Sequence, residues 1–149
     1  MTRNVIVVPP ELTLAHAWQI MTRHDIRHLP VVRAGALIGM LSDRDVLARG
    51  TLSSDGRVAV PPHLIVGEAM TATPLDTCEA TTNVAELART MVERKIDAIP
   101  VVTGLRLVGL VTSTDLLTLL VDRQESVKSE PLPFEWRLVE DARLDGVMA

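Results

Sequence analysis

The strongest constraint on the fold of this chain is a stretch it carries twice. Ile26-Arg27-His28-Leu29-Pro30-Val31-Val32 is followed by Leu37-Ile38-Gly39-Met40-Leu41-Ser42-Asp43-Arg44-Asp45. Seventy residues on, the chain reads Ile96-Asp97-Ala98-Ile99-Pro100-Val101-Val102, then Leu107-Val108-Gly109-Leu110-Val111-Thr112-Ser113-Thr114-Asp115. At that offset, without a gap, Ile26/Ile96, Pro30/Pro100, Val31/Val101, Val32/Val102, Leu37/Leu107, Gly39/Gly109 and Asp45/Asp115 are identical, and Ser42/Thr112 keep a hydroxyl. Ala15/Ala85 and Met21/Met91 hold the same register upstream. A shared register of Pro, Gly and Asp over that length establishes a two-fold internal repeat.

Each copy reads as strand, helix, strand, strand, helix. Val5–Val8 is a β-branched run stopped by Pro9-Pro10. Leu14, Ala17, Trp18 and Met21 then recur at helical spacing, with Trp18 on the packing face. His16 and His24 fall elsewhere on that helix and read as solvated. A hairpin turns at Ala34-Gly35, and Ser42 opens a second helix. Pro30 fits only an early or edge strand position, because it has no N–H to give a ladder. The second copy predicts a strand over Leu75–Cys78, a helix with Val84, Leu87 and Met91 on one face, a hairpin turning near Thr103-Gly104, and a helix from Thr112 to about Val121. Each copy is too short to bury a core alone, so the two are expected to pack on one another. The core rests on aliphatic side chains, since aromatics make up only 2% of the chain.

The expected division is residues 1–60 as a first domain, 66–122 as a second and 123–149 as an extension, with a loop over 50–65. The extension is acidic: residues 122–149 carry seven acids against four bases. It holds the only Phe, Phe134, and one of the two tryptophans, Trp136, so it reads as a segment that docks on its own module or on a second subunit. The net charge is -4 and no basic stripe is present, which argues against a nucleic-acid partner. Cys78 is the single cysteine, so no internal disulfide can form, and no Cys/His cluster has zinc spacing. No apolar run approaches a signal peptide or a membrane span, so a cytoplasmic protein with no membrane partner is expected.

Two readings compete at Gly39–Asp45 and Gly109–Asp115. A Ser or Thr three residues before an acid at a helix start is a capping box. The same atoms also suit a ligand: free N–H groups and a hydroxyl for phosphate, and a carboxylate for a ribose diol. Arg27, His28 and Arg44 add cations to the first copy, where the second has Asp97, Ala98 and Thr114. The first cleft is therefore expected to be the better anion site. No nucleophile with its base is in evidence: Cys78 reads as a buried apolar group, and His63 has no evident partner. No catalytic residue and no metal ligand is expected.

These motifs resemble the CBS domain, named for cystathionine β-synthase, and residues 4–121 resemble a stand-alone tandem pair, or Bateman module. The resemblance implies an α/β (α+β) fold of two β-α-β-β-α repeats packed face to face by pseudo-two-fold symmetry. It also implies two clefts between the repeats and a homodimer shaped as a flat disk. Family members commonly bind AMP, ADP, ATP or S-adenosylmethionine as regulatory ligands, with no cofactor required. The carried-over ligand residues are Ser42 and Asp45 in one cleft and Thr112 and Asp115 in the other, with Ile26, Arg27, His28, Ile96, Asp97 and Ala98 before each Pro, and Thr77 facing adenine or ribose. Arg44 joins them as a cation. Val7 stands where the second copy has Thr77, so one good nucleotide site per chain is expected. With no catalytic domain attached, the output is expected to pass through the dimer, the tail or a protein partner in trans. The alternative is a ligand-independent dimerisation and interaction module.

Overall fold

The computed structural model describes residues 4–123. The chain runs α1 (Leu14–His24), β1 (His28–Arg33), β2 (Ala36–Ser42), α2 (Asp43–Arg49), β3 (Thr51–Leu52), β4 (Val58–Ala59), α3 (Val66–Ala69), β5 (Thr71–Ala72), α4 (Val84–Arg94), β6 (Ala98–Thr103), β7 (Arg106–Thr112) and α5 (Ser113–Arg123).

The repeat in sequence is a repeat in hydrogen bonding. Thr13 caps α1 by accepting from the His16 N–H, and Asn83 caps α4 by accepting from the Glu86 N–H. Both helices end on a left-handed residue, Asp25 and Lys95. The hairpins share one register: His28 faces Ser42 as Ala98 faces Thr112, and both carry an irregularity at the Val31-Val32 or Val101-Val102 step. Gly35 and Gly104 supply positive φ in the two turns. The hairpins join at a single pair, Ala36 with Arg106, giving the order β1-β2-β7-β6, and β5 adds to β2.

The opening strands are shorter than the composition suggests. Val5–Val8 and Leu75–Cys78 each reduce to one parallel bridge, Val8 to Val31 and Cys78 to Val101. The cause lies in the partner strand. Val8 N–H donates to the Pro30 carbonyl at 3.1 Å and Val32 N–H to the Val8 carbonyl at 3.0 Å. The next bond back needs an N–H that Pro30 lacks, and Pro100 imposes the same stop on Cys78. The predicted loop over 50–65 contains a small β3–β4 hairpin instead. Ser53 N–H bonds the Arg57 carbonyl at 2.8 Å, and the Ser53 hydroxyl donates to Asp55.

Each repeat has its own buried cluster. The first comprises Val8, Leu14, Ala17, Met21, Leu29, Val31, Leu41, Val46 and Val66. The second comprises Leu87, Met91, Ile99, Val101 and Val111. Trp18 packs against the first cluster, as its helical spacing predicts. The Phe134 and Trp136 segment lies outside the described residues. No helix among the described residues is long and apolar enough to cross a membrane.

Gly39 lets β5 and the preceding Met70 close on β2. A Cβ there would lie 2.5 Å from the Met70 sulfur and 2.9 Å from the Thr71 carbonyl oxygen. Met70 can move, but the backbone carbonyl cannot. Gly39→Ala is expected to cost about 1–3 kcal/mol by overpacking, read as a drop in the urea midpoint. An unchanged midpoint would contradict the close approach.

Candidate ligand-binding clefts

β2 and β7 each end at the hydroxyl residue that caps the following helix. Ser42 N–H donates to Asp45 Oδ2 at 2.7 Å, the Ser42 hydroxyl donates to the same oxygen at 2.9 Å, and Asp45 N–H reaches Ser42 Oγ at 3.3 Å. Thr112 and Asp115 repeat this with 2.8, 3.1 and 3.2 Å. The capping box is therefore built in both copies. It uses one oxygen of each carboxylate and leaves Oδ1 without a hydrogen bond among the described residues. A second tie holds the stretch before each Pro beside the helix start: Asp43 N–H donates to the Arg27 carbonyl, and Ser113 N–H to the Asp97 carbonyl, both at 2.9 Å.

Two clefts lie at these junctions, of about 190 and 270 Å³. Each combines the helix cap of one repeat with the stretch before Pro of the other. The first cleft holds Ser42, Asp43, Arg44 and Asp45 against Lys95, Ile96, Asp97 and Ala98, with Met40, Thr71, Leu75, Asp76 and Pro100 completing its walls. The second holds Thr112 and Thr114 against Asp25, Ile26, Arg27 and His28, with Leu110 and residues 4–6. His28 lines both.

This interleaving corrects the expected charge distribution. Arg27 serves the second cleft, and Asp97 enters the first, where its carboxylate lies 3.6 Å from the Arg44 guanidinium. That pair is exposed and contributes little stability. The first cleft carries Asp43, Asp45, Asp76 and Asp97 against Arg44 and Lys95. The second sets Asp25 against Arg27. The first is thus the more acidic cleft, because its acids come from both repeats. Two further residues are placed differently than expected. Thr77 lines a separate hollow with Thr73, Pro74 and the turn residues Gly104 and Leu105. Leu75 lines both that hollow and the first cleft, and Asp76 lines the cleft. Asp115 opens toward a groove beside α4 and α5 rather than into the second cleft.

Sequence reading missed Asp25, Lys95 and Asp76. Asp25/Lys95 and Arg27/Asp97 swap sign at matched positions, a signal that the register of the repeat contains. His28 is half-buried. Burial holds its imidazole below the usual range; Asp43 and Asp97 pull it up, and Arg27 and Arg44 oppose them. Burial pushes the Cys78 thiol up, with Glu86 adding to the effect. Among the described residues no group of His, Cys, Asp and Glu has the arrangement of a metal site.

The sequence model of the family described as CBS domain matches residues 1–50 and 66–122. The CBS domain-containing protein YhcV of Bacillus subtilis (strain 168) is 34% identical over 116 residues, covering 78% of this chain and 79% of that protein. The CBS domain pair of protein MJ0100, solved in complex with 5′-methylthioadenosine and S-adenosyl-L-methionine, superposes with a TM-score of 0.69 at 26% identity, over 83% of this chain and 93% of that one. CBSX2, solved in complex with AMP, superposes with a TM-score of 0.68 at 25% identity, over 81% and 91%. With its two matching repeats, their α/β fold and the clefts between them, this chain belongs to the CBS domain family.

Proposed function

We propose that this chain is a non-catalytic sensor that holds an adenosine-containing ligand in the first cleft and signals through a dimer or a partner protein. The observation that carries the reading is Asp45. Its Oδ2 is committed to the helix cap, while its Oδ1 is available to a ribose diol at the cleft wall. Met40, Leu75, Ile96 and Ala98 offer apolar walls for a purine. The adenosine compounds bound by the CBS pairs of MJ0100 and CBSX2 support the ligand class.

The four carboxylates of the first cleft favour few phosphates. The preferred ligands are therefore adenosine, AMP or the positively charged S-adenosylmethionine, with ADP and ATP weaker. Arg44 reaches a single phosphate by exchanging Asp97 for it. The ligand-free reading, a module for dimerisation alone, has one observation in its favour: both capping boxes are satisfied by the chain itself.

The outer side of the second repeat supports pairing with a second copy. Leu117, Leu120 and Val121 are exposed on one face of α5 by their helical spacing. Leu117→Asp with Leu120→Asp is expected to convert a dimer to a monomer in light scattering while leaving the ligand response in place. A dimer that survives both changes has its interface elsewhere.

AMP at about a hundredfold excess over its dissociation constant is expected to add about 2.7 kcal/mol, or about 5–10 °C in melting temperature for a chain of this size. Asp45→Ala is expected to abolish that shift, and titration calorimetry is expected to rank ATP below AMP. No shift with any adenosine compound in ligand-stripped protein would favour the dimerisation module.

His28 adds a pH dependence. Its folded-state pKa lies below its ordinary value of 6.5, so the unfolded chain takes the proton first as pH falls. The stability of the ligand-free chain is therefore full above that value and declines below it, until the pH passes the folded-state pKa. Melting curves from about pH 8 to about pH 5 are expected to show this decline in the native chain and a flatter profile in His28→Gln. Equal profiles would remove His28 from the account.

A further inference from the structure

We propose that residues 131–136 dock in the groove beside α4 and α5 of their own chain, as residues 61–66 dock beside α1 and α2. In the first repeat that docking is explicit. Leu14 N–H donates to the Leu64 carbonyl and Val66 N–H to the Leu12 carbonyl, each at 2.8 Å, and Thr13 bridges Ile65. Val66 is fully buried, Leu64 packs on the first cluster, and α3 continues onto α1 and α2.

The offset of seventy carries Leu12–Leu14 to Thr82–Val84. There, among the described residues, no backbone segment pairs with the Val84 N–H. Val84 is 41% exposed where Leu14 is 0% exposed. A groove lies open at this place, lined by Cys78, Val84, Leu87, Val111, Leu116 and Leu119.

The same offset carries Pro61 to Pro131, Leu64 to Phe134 and Val66 to Trp136. The side chains offered to the second groove are larger than those in the first. The groove compensates: Pro10, Leu12 and Leu14 become Ala80, Thr82 and Val84. Arg49, whose guanidinium holds the Glu68 carbonyl at 3.1 Å, becomes Leu119, so the rim turns apolar where an aromatic pair would sit. The match stops at Arg137, where the first copy has Gly67 against Pro10.

Reach permits the docking. The ten residues 124–133 span about 33–36 Å when extended, and Leu119 lies only one turn, about 6 Å, before the end of α5. The docking is independent of any ligand in the first cleft.

Cys78 is the single cysteine and lines the groove, so its alkylation reports on cover. In the full chain, Phe134→Ala with Trp136→Ala is expected to raise its labelling rate about tenfold at fixed pH, and the native rate is expected to be unchanged on dilution. In a Trp18→Phe chain, Trp136 is the only tryptophan; its emission is expected to be blue-shifted and to move to the red on Leu119→Asp. Equal labelling rates in the native and double-variant chains overturn the proposal, as does Trp136 emission that ignores Leu119→Asp. Protection that fades on dilution assigns the groove to a second copy's segment and overturns docking within one chain. Protection that survives the double variant but is lost on deleting residues 1–3 assigns it to the amino terminus and overturns it as well.

Discussion

One carboxylate oxygen holds each strand-to-helix junction, and both clefts hang from these junctions. Asp45 Oδ2 and Asp115 Oδ2 each take the N–H and the hydroxyl of the capping residue. This fixes where α2 and α5 begin at the ends of β2 and β7. The following residue then bonds the carbonyl of Arg27 or Asp97, which anchors the stretch before each Pro. The strand end, the helix start and that stretch therefore sit together in each repeat. A structural cap and a ligand anchor are compatible here, because a carboxylate has two oxygens and the cap uses one.

The two repeats share a backbone design but not an environment. Pro30 and Pro100 limit the opening strand of each copy to a single bridge, so the sheet stays small. The hairpins meet at one residue pair, and the clefts form around that narrow join from residues of both copies. On the helix side, the first repeat is closed by Leu64 and Val66 and its nine buried residues reach at most 2% exposure. The second repeat has smaller cover among the described residues, and its α5 has no buried residue. Asp115 borders the groove beside α4 and α5, although its hydrogen bonds match those of Asp45.

Much of the fold was legible because local patterns agreed with one another. The helical spacing of Leu14, Ala17 and Met21, the hairpin turns and the Ser42 and Thr112 caps were each readable from neighbouring residues, and the repeat confirmed them. The β3–β4 hairpin was not legible, since two-residue strands carry no alternation to detect. The short opening strands were misjudged because their limit lies in Pro30 and Pro100, residues of the partner strand. Most of the residues named from the sequence line one cleft or the other, but their grouping was not legible. Arg27 and Arg44 are close in sequence yet serve different clefts, and Asp97 meets Arg44 from the other repeat.

By itself, the sequence determined the repeat, the order of elements in each copy, the capping pairs and the family resemblance. These depend on contacts within a few residues or on one fixed offset, and both can be read along a chain. Only the tertiary structure decided which residues share a cleft, which cleft is the more acidic, that His28 faces both, and that one repeat has a closed helix side while the other has a groove. Those depend on how the two copies interleave. A charge acts through the space around it, and a residue seventy positions away can be nearer than its neighbour in sequence.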